Sequence, residues 1–202
     1  MCHQFQIPTL SEIKKYLIND LKLPLVEPTT SLPENINVFP KNQVPVLLYQ
    51  NEQLLLKSKS WGYPSPFNHQ KVVFNARIEH FFEKKPSMWD QSFAKSRCLI
   101  ITKQFFESSR QTYTSPNGHR YHENFGFLNP NEPLTMIAGI YQNDHFSMVT
   151  TKPNSIMAPI HNRMPLIIQS SELRQWLFQN FTSLVDRHKI DLVVRQTPHD
   201  MR

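Results

Sequence analysis

The sequence predicts an α+β fold, a single domain over residues 2–202 built on a mostly antiparallel, curved sheet with peripheral helices. Short apolar runs of strand length recur from residue 44 to residue 194, separated by turn signals, whereas helical periodicity is confined to a few brief stretches. Strands and helices do not alternate in the βαβ rhythm of a parallel sheet. With 202 residues, 39% of them hydrophobic, the chain can bury a core without disulfides, hiding roughly 70% of its unfolded surface. Sixteen prolines against four glycines favour stiff, extended connections.

The elements follow in chain order. Thr9-Leu10-Ser11-Glu12 has the spacing of a capping box, and Ile13, Tyr16, Leu17 and Leu21 continue at helical spacing, so a helix is expected over residues 10–21. Pro24, Pro28, Pro33 and Pro40 then impose an irregular, extended stretch. Residues 44–49 and 53–56 flank Gln50-Asn51-Glu52 as a hairpin. Lys71–Phe74 reads as a short buried strand, Ala76–Phe82 as helical, and Ser87–Ala94 as a second short helix. Cys98–Ile101 is a buried strand leading into Phe105-Phe106-Glu107. Ser115-Pro116-Asn117-Gly118 is a turn. Strands are expected over 134–141 and 146–151, joined at Asn143-Asp144, and over 165–168. Ser170 or Ser171 caps a helix carrying Leu173, Trp176 and Leu177, and residues 192–194 add a last strand.

Composition narrows the function. No apolar run approaches the roughly 18 residues of a membrane span, and the polar start lacks the apolar region of a signal peptide. Cys2 and Cys98 have no metal-ligand spacing and do not suggest a disulfide, which points to a reducing, cytoplasmic setting. Four glycines leave no phosphate-cradling loop. His119 and His122 flank a turn and lack a third ligand, so no metal or other cofactor is expected. The formal charge of +6 suits an anionic partner, although a basic surface kept for solubility explains the charge equally well.

Cys2 carries distinctive chemistry. If Met1 is removed, Cys2 presents an amine and a thiol on adjacent carbons. The amine, with a pKa of about 8, is partly neutral at physiological pH and can attack an aldehyde to form an imine. The thiol can then close a five-membered thiazolidine. Cys98 cannot do this, because its nitrogen is locked in an amide. Taken alone, Cys2 reads more readily as a small residue that follows the initiator by chance.

Further pieces occur in a fixed order. Met1-Cys2-His3-Gln4-Phe5 resembles the Met-Cys-Gly-Arg-Phe start of the SOS response-associated peptidase family, whose members crosslink to abasic sites in DNA. Asn37-Val38-Phe39-Pro40, Trp61-Gly62, Asn75-Ala76-Arg77-Ile78-Glu79, Arg97-Cys98-Leu99 with Phe105-Phe106-Glu107, Ala138-Gly139-Ile140-Tyr141 and Met157–Pro165 resemble the later blocks of that family. The resemblance runs from residue 2 to about residue 178. It implies a monomer that links itself covalently to abasic sites in single-stranded DNA. Cys2 would be the nucleophile, Asn75 would orient its amine, Glu107 would shuttle protons, and His161 would open the closed sugar and assist reversal. Arg77, Arg163, Trp61 and Pro40 would contact DNA, with Lys84, Lys85, Arg110 and Lys152 as further basic candidates. The residue types suit the chemistry. Opening a hemiacetal needs proton transfer near neutral pH, and closing the ring with sulfur removes the imine that would otherwise promote strand cleavage.

The chain departs from the pattern at His3, at Gln4 in place of a phosphate-contacting Arg, and at Ser108 in place of Trp. No Trp follows Pro64-Ser65-Pro66-Phe67, and the usual C-terminal Pro-Val-Ser segment is not evident in residues 191–202. Two other readings stand beside this one. One is a peptidase or amidohydrolase that uses its N-terminal amine as base. The other is a non-catalytic single-strand binder relying on charge and stacking.

Overall fold

The central strands are near-continuous apolar runs, as strands buried on both faces require. In the computed structural model, which describes residues 2–68 and 70–197, these strands build a mixed fold of curved, mostly antiparallel sheets. Met1 and the last five residues of the expected domain lie outside the described residues. From the amino end the elements are β1 (Gln4–Gln6), α1 (Leu10–Lys14), β2 (Leu25–Val26), β3 (Asn37–Val38), β4 (Gln43–Gln50), β5 (Gln53–Trp61), β6 (Tyr63–Pro64), β7 (Val72–Val73), β8 (Asn75–Arg77), α2 (Asp90–Lys95), β9 (Arg97–Thr102), β10 (Gln104–Thr114), β11 (Arg120–Leu128), β12 (Thr135–Gln142), β13 (His145–Thr151), β14 (Met164–Pro165), β15 (Ile167–Ile168), α3 (Leu173–Phe178) and β16 (Val193–Gln196).

The larger sheet follows the order β14-β13-β12-β9-β4-β5-β2, and β13 also pairs with β5, which curls β13, β12, β9, β4 and β5 into a closed ring. The smaller sheet runs β16-β11-β10-β1-β3. Alternation then sorts the side chains. On β9, Leu99 and Ile101 face a core shared with the helices, where Ile13, Tyr16, Trp176 and Phe181 pack. Cys98 and Ile100 face a second core containing Cys2, Phe5, Trp61, Phe105, Phe127, Phe146 and Met157. A strand whose two faces are both covered reads as a continuous apolar run, as Cys98–Ile101 does. Gly139 lets β12 approach β9, because a Cβ at that position would sit 2.8 Å from Cys98 Sγ. The Trp176 indole N–H donates to Cys98 O at 2.7 Å and ties α3 to the ring.

Most of the predicted elements are present. Thr9 and Glu12 form the capping box, and α1 continues as a π-helical turn over Lys15–Asp20. The 43–61 hairpin turns through Asn51 and Glu52, both at positive φ, as a tight hairpin connection requires. Three expectations need correction. Ala76 and Arg77 are not helical: β8 pairs in parallel with Met148–Thr150, so their backbone groups serve the sheet, and only Ile78–Phe82 forms a 3₁₀ turn. The second short helix starts at Asp90, because the Asp90 carboxylate accepts from the Ser87 backbone N–H and hydroxyl and holds the preceding residues as a turn. Gln169, rather than a serine, caps the last helical stretch, with Glu172 reaching back to its N–H, and Ser170 bonds Glu132 instead.

Candidate active site

The amino-terminal strand places the site. β1 inserts between β10 and β3, with Gln4 opposite Phe106, Phe5 opposite Phe105 and Val38, and Gln6 opposite Gln104 and Asn37. Phe5 is wholly buried and tilts against Trp61 with ring centroids 4.7 Å apart. This anchor fixes Cys2 three residues earlier, at the edge of the second core, fully buried, with its thiol donating to Gln4 O at 3.4 Å.

Two side chains hold the backbone of Cys2. Asn75, placed by the pairing of β8 with β13, donates from Nδ2 to Cys2 O at 2.9 Å. The sequence predicts that Asn75 orients the Cys2 nitrogen, but in the structure it holds the carbonyl. Its Oδ1 is buried with no hydrogen-bond partner among the described residues. The Cys2 nitrogen is met by Glu107 of β10, whose carboxylate accepts from the Cys2 backbone N–H. Glu107 is only 1% exposed. Burial pushes its carboxyl up to about 7, against the opposing pull of the amino terminus and the Cys2 N–H. The same burial, with the Glu107 charge added, drives the Cys2 thiol far above its ordinary range, so it stays protonated at neutral pH.

His161 sits on a loop tied down by Asn154. The Asn154 carboxamide accepts from the Met157 N–H and donates to Ile190 O, while the Ala158 and His161 N–H groups bond Asn154 O and Met157 O. His161 Nδ1 stands 3.0 Å from the Arg163 backbone nitrogen and 3.2 Å from the Arg163 carbonyl oxygen, which fixes the ring's orientation. Burial first, then the positive amino terminus, pushes His161 below its usual range.

A cleft of about 520 Å³ runs between this loop and β10, lined by Ser108, Ser109, Arg110, Gln111, His122 and residues 158–162. Its β10 wall bulges: three residues separate Ser108 from Thr112, while one separates their partners Asn124 and His122. The bulge brings Arg110, an exposed side chain, to the cleft beside His161.

Cys2, Asn75 and Glu107 thus meet, and His161 lines a cleft with Ser108, the residue after Glu107, whereas the four residues expected to contact DNA are placed differently. Arg77 is exposed on β8, and Pro40 is half-buried beside the exposed Phe39. Trp61 is 0% exposed, with its indole N–H bonded to Phe74 O, so it has no face for a base and acts through Phe5. Arg163 is not a free cation: Nη1 and Nη2 bond the two Glu79 oxygens at 2.7 and 2.8 Å, and Nη2 also donates to Thr150 O at 2.8 Å. Gln4 lines a different cleft, with Gln6, Asn37, Gln104 and Arg195. Sequence reasoning did not single out Phe67. It is 96% exposed on the loop between β6 and β7, beside which Lys41 Nζ donates to Gln70 O. The signal was an aromatic flanked by Pro66 and Asn68, residue types that place it in a loop.

The chain is 26% identical over 154 residues to the abasic site processing protein YoqW of Bacillus subtilis, an alignment covering 70% of the chain and 65% of that relative. It is 24% identical over 196 residues to the abasic site processing protein YoaM of the same organism, covering 91% of the chain and 82% of the relative. It is also 24% identical over 153 residues to the abasic site processing protein YedK of Escherichia coli, covering 72% and 65%. Crystal structures of a Bordetella bronchiseptica protein (TM-score 0.74, 17% identity, 98% and 100% of the two chains) and a Bacteroides thetaiotaomicron protein (TM-score 0.73, 19% identity, 98% and 93%) share the fold. Residues 1–201 match the family described as SOS response associated peptidase (SRAP), and since that match spans nearly the whole sequence, the chain belongs to this family.

Proposed function

We propose that the protein processes abasic sites in single-stranded DNA by forming a thiazolidine crosslink through Cys2. The observation that carries the reading is the double hold on Cys2, with its nitrogen on Glu107 and its carbonyl on Asn75. Removal of residue 1 turns that nitrogen into an amine already hydrogen-bonded to a carboxyl that titrates near neutrality. The relatives' names support the substrate class.

The chemistry balances with water as the sole by-product. The neutral amine adds to the aldehyde carbon of the open sugar and gives a carbinolamine. Glu107 donates the proton with which hydroxide leaves as water, forming the imine. The thiol then adds its sulfur to the same carbon while the imine nitrogen gains a proton. Glu107, as base, takes the proton from a thiol that burial keeps neutral. A carboxyl tuned to about 7 is populated in both forms at physiological pH, as these alternating roles require. His161, whose imidazole burial holds below its usual range, suits the proton transfer that opens the hemiacetal. Arg77 and Arg110, both exposed, supply charge for flanking phosphates, and Phe67 offers a base a stacking face.

The test is the yield of heat-stable adduct with a single-stranded abasic oligonucleotide. Cys2→Ala is expected to abolish it and Cys98→Ala to leave it unchanged. A protein that retains residue 1 is expected to give none, because its Cys2 nitrogen is an amide. Equal loss in both Cys variants, or full crosslinking by the blocked form, would overturn the mechanism.

A further inference from the structure

A separate cleft, of about 510 Å³, opens where the chain leaves β13. Lys152 and Arg187 line it, together with Glu79, Ser183 and Asp186. Arg187 is only 5% exposed, yet it is half satisfied. Its Nη1 donates to both oxygens of Glu172 at 2.9 and 2.8 Å. Its Nε is buried with no partner among the described residues, and Nη2 makes no hydrogen bond to one of them. A guanidinium has five donors in a fixed fork, and a buried donor without an acceptor is unusual in folded proteins. The unpartnered Nε edge points to an acceptor outside the protein.

The acidic groups at the cleft are not that acceptor. Glu79 is chelated by Arg163. Asp186 accepts from the His188 backbone N–H at 3.0 Å and stands 2.7 Å from the His188 ring. Lys152 is exposed and makes no ion pair among the described residues. Ser183 Oγ accepts from Gln175 Nε2 at 2.6 Å, which leaves its own proton to donate.

We propose that this cleft binds a phosphate ester, its oxygens taken by the open side of the Arg187 guanidinium, the Lys152 ammonium and the Ser183 hydroxyl. Fork, point charge and hydroxyl suit a tetrahedral, multiply charged oxyanion. The volume exceeds that of a bare ion and leaves room for the esterified group. The ester is either a backbone phosphate of the DNA strand or a free phosphate monoester. The first source rests on the function proposed above. Met148 of β13 is level with Asn75, and Lys152 lies four residues on, about 13 Å along an extended chain.

The test uses the full chain with two probes, inorganic phosphate and an intact single-stranded oligonucleotide. The variants are Lys152→Gln, Ser183→Ala and Arg187→Lys, with Lys95→Gln as an exposed control outside the cleft. Phosphate is expected to raise Tm above chloride at matched ionic strength. Lys152→Gln should weaken phosphate binding roughly tenfold, as loss of one charge-assisted contact implies, and Lys95→Gln should not. If the ester belongs to DNA, Lys152→Gln also lowers the salt slope of oligonucleotide binding by about 0.7. An unchanged slope with weakened phosphate binding assigns the site to a free monoester. The site is refuted if Lys152→Gln changes neither quantity, or if Lys95→Gln changes both equally. Lys152→Gln and Ser183→Ala keep the Arg187–Glu172 pair, so the proposal stays testable if Arg187→Lys does not fold. Crosslinking of an abasic oligonucleotide is measured in parallel. Its absence with phosphate binding intact counts against the Cys2 reading and not against this site.

Discussion

Glu107 shows how one buried carboxyl links stability to chemistry. Its folded pKa of about 7 lies above the ordinary 4.5, so the folded state binds the proton more tightly than the unfolded chain. The stability it contributes is therefore full below pH 4.5 and is lost as pH rises through about 7. Glu107→Gln keeps the shape and removes the titration. It is expected to stabilise the fold at pH 8 relative to pH 5 by at most about 3 kcal/mol, and to slow crosslinking 100- to 10,000-fold. Urea denaturation at the two pH values checks the first effect and adduct kinetics the second. The same pH dependence in both proteins would mean that Glu107 is not the titrating group. His161 acts on a different step. His161→Ala should slow reaction with the closed abasic sugar more than reaction with a simple aldehyde, and equal slowing on both would remove its ring-opening role.

At the scale of elements, β1 decides where the nucleophile stands, although only three of its residues are in the sheet. Phe5 is its anchor, packed in the second core against Trp61. Phe5→Ala is expected to cost about 3–5 kcal/mol of stability and to lower the crosslinking rate even at temperatures where the protein remains folded, because Cys2 loses its register with Glu107. Single-turnover rates below Tm test this, and a wild-type rate would show that β1 does not position the site. Three residues are too few for alternation to register, which is why β1 escaped sequence reasoning. β11 escaped it for another reason: its first half, Arg120–His122, is exposed and polar, so no apolar pattern marks it. The capping box at Thr9 and the turns at Asn51 and Gly118 were legible because local chemistry alone fixes them.

Across the whole molecule, the net charge of +6 is unevenly available. Arg163 is committed to Glu79 and Arg187 gives its Nη1 to Glu172, whereas Arg77 and Arg110 are exposed. Arg77→Gln is expected to leave Tm unchanged and to lower the salt slope for intact single-stranded DNA by about 0.7. Arg163→Gln is expected to lower Tm by several degrees instead, since it strips Glu79 of its partner and releases the loop that bears His161. Thermal melts and salt titrations of both variants separate the two roles. A salt-slope change with Arg163→Gln as large as that with Arg77→Gln would return Arg163 to the DNA surface.

Residue types and local spacing determined the strand-rich class, the central hairpins, the first helix and its cap, and the reactivity open to Cys2. These rest on period, turn chemistry and reactivity, which each residue carries with it, whereas Asn75, Glu107 and His161 became candidates only through the resemblance of their blocks to the family. Only the tertiary structure decided that Asn75 grips a carbonyl, that Trp61 is core, that Arg163 is paired and that Arg110 and Phe67 are presented. The physical reason is common to all four. Which partner a polar or aromatic side chain meets depends on segments distant in sequence, such as Glu79 with Arg163 or Cys2 with Asn75, and burial sets whether a charge or a ring remains available to a ligand.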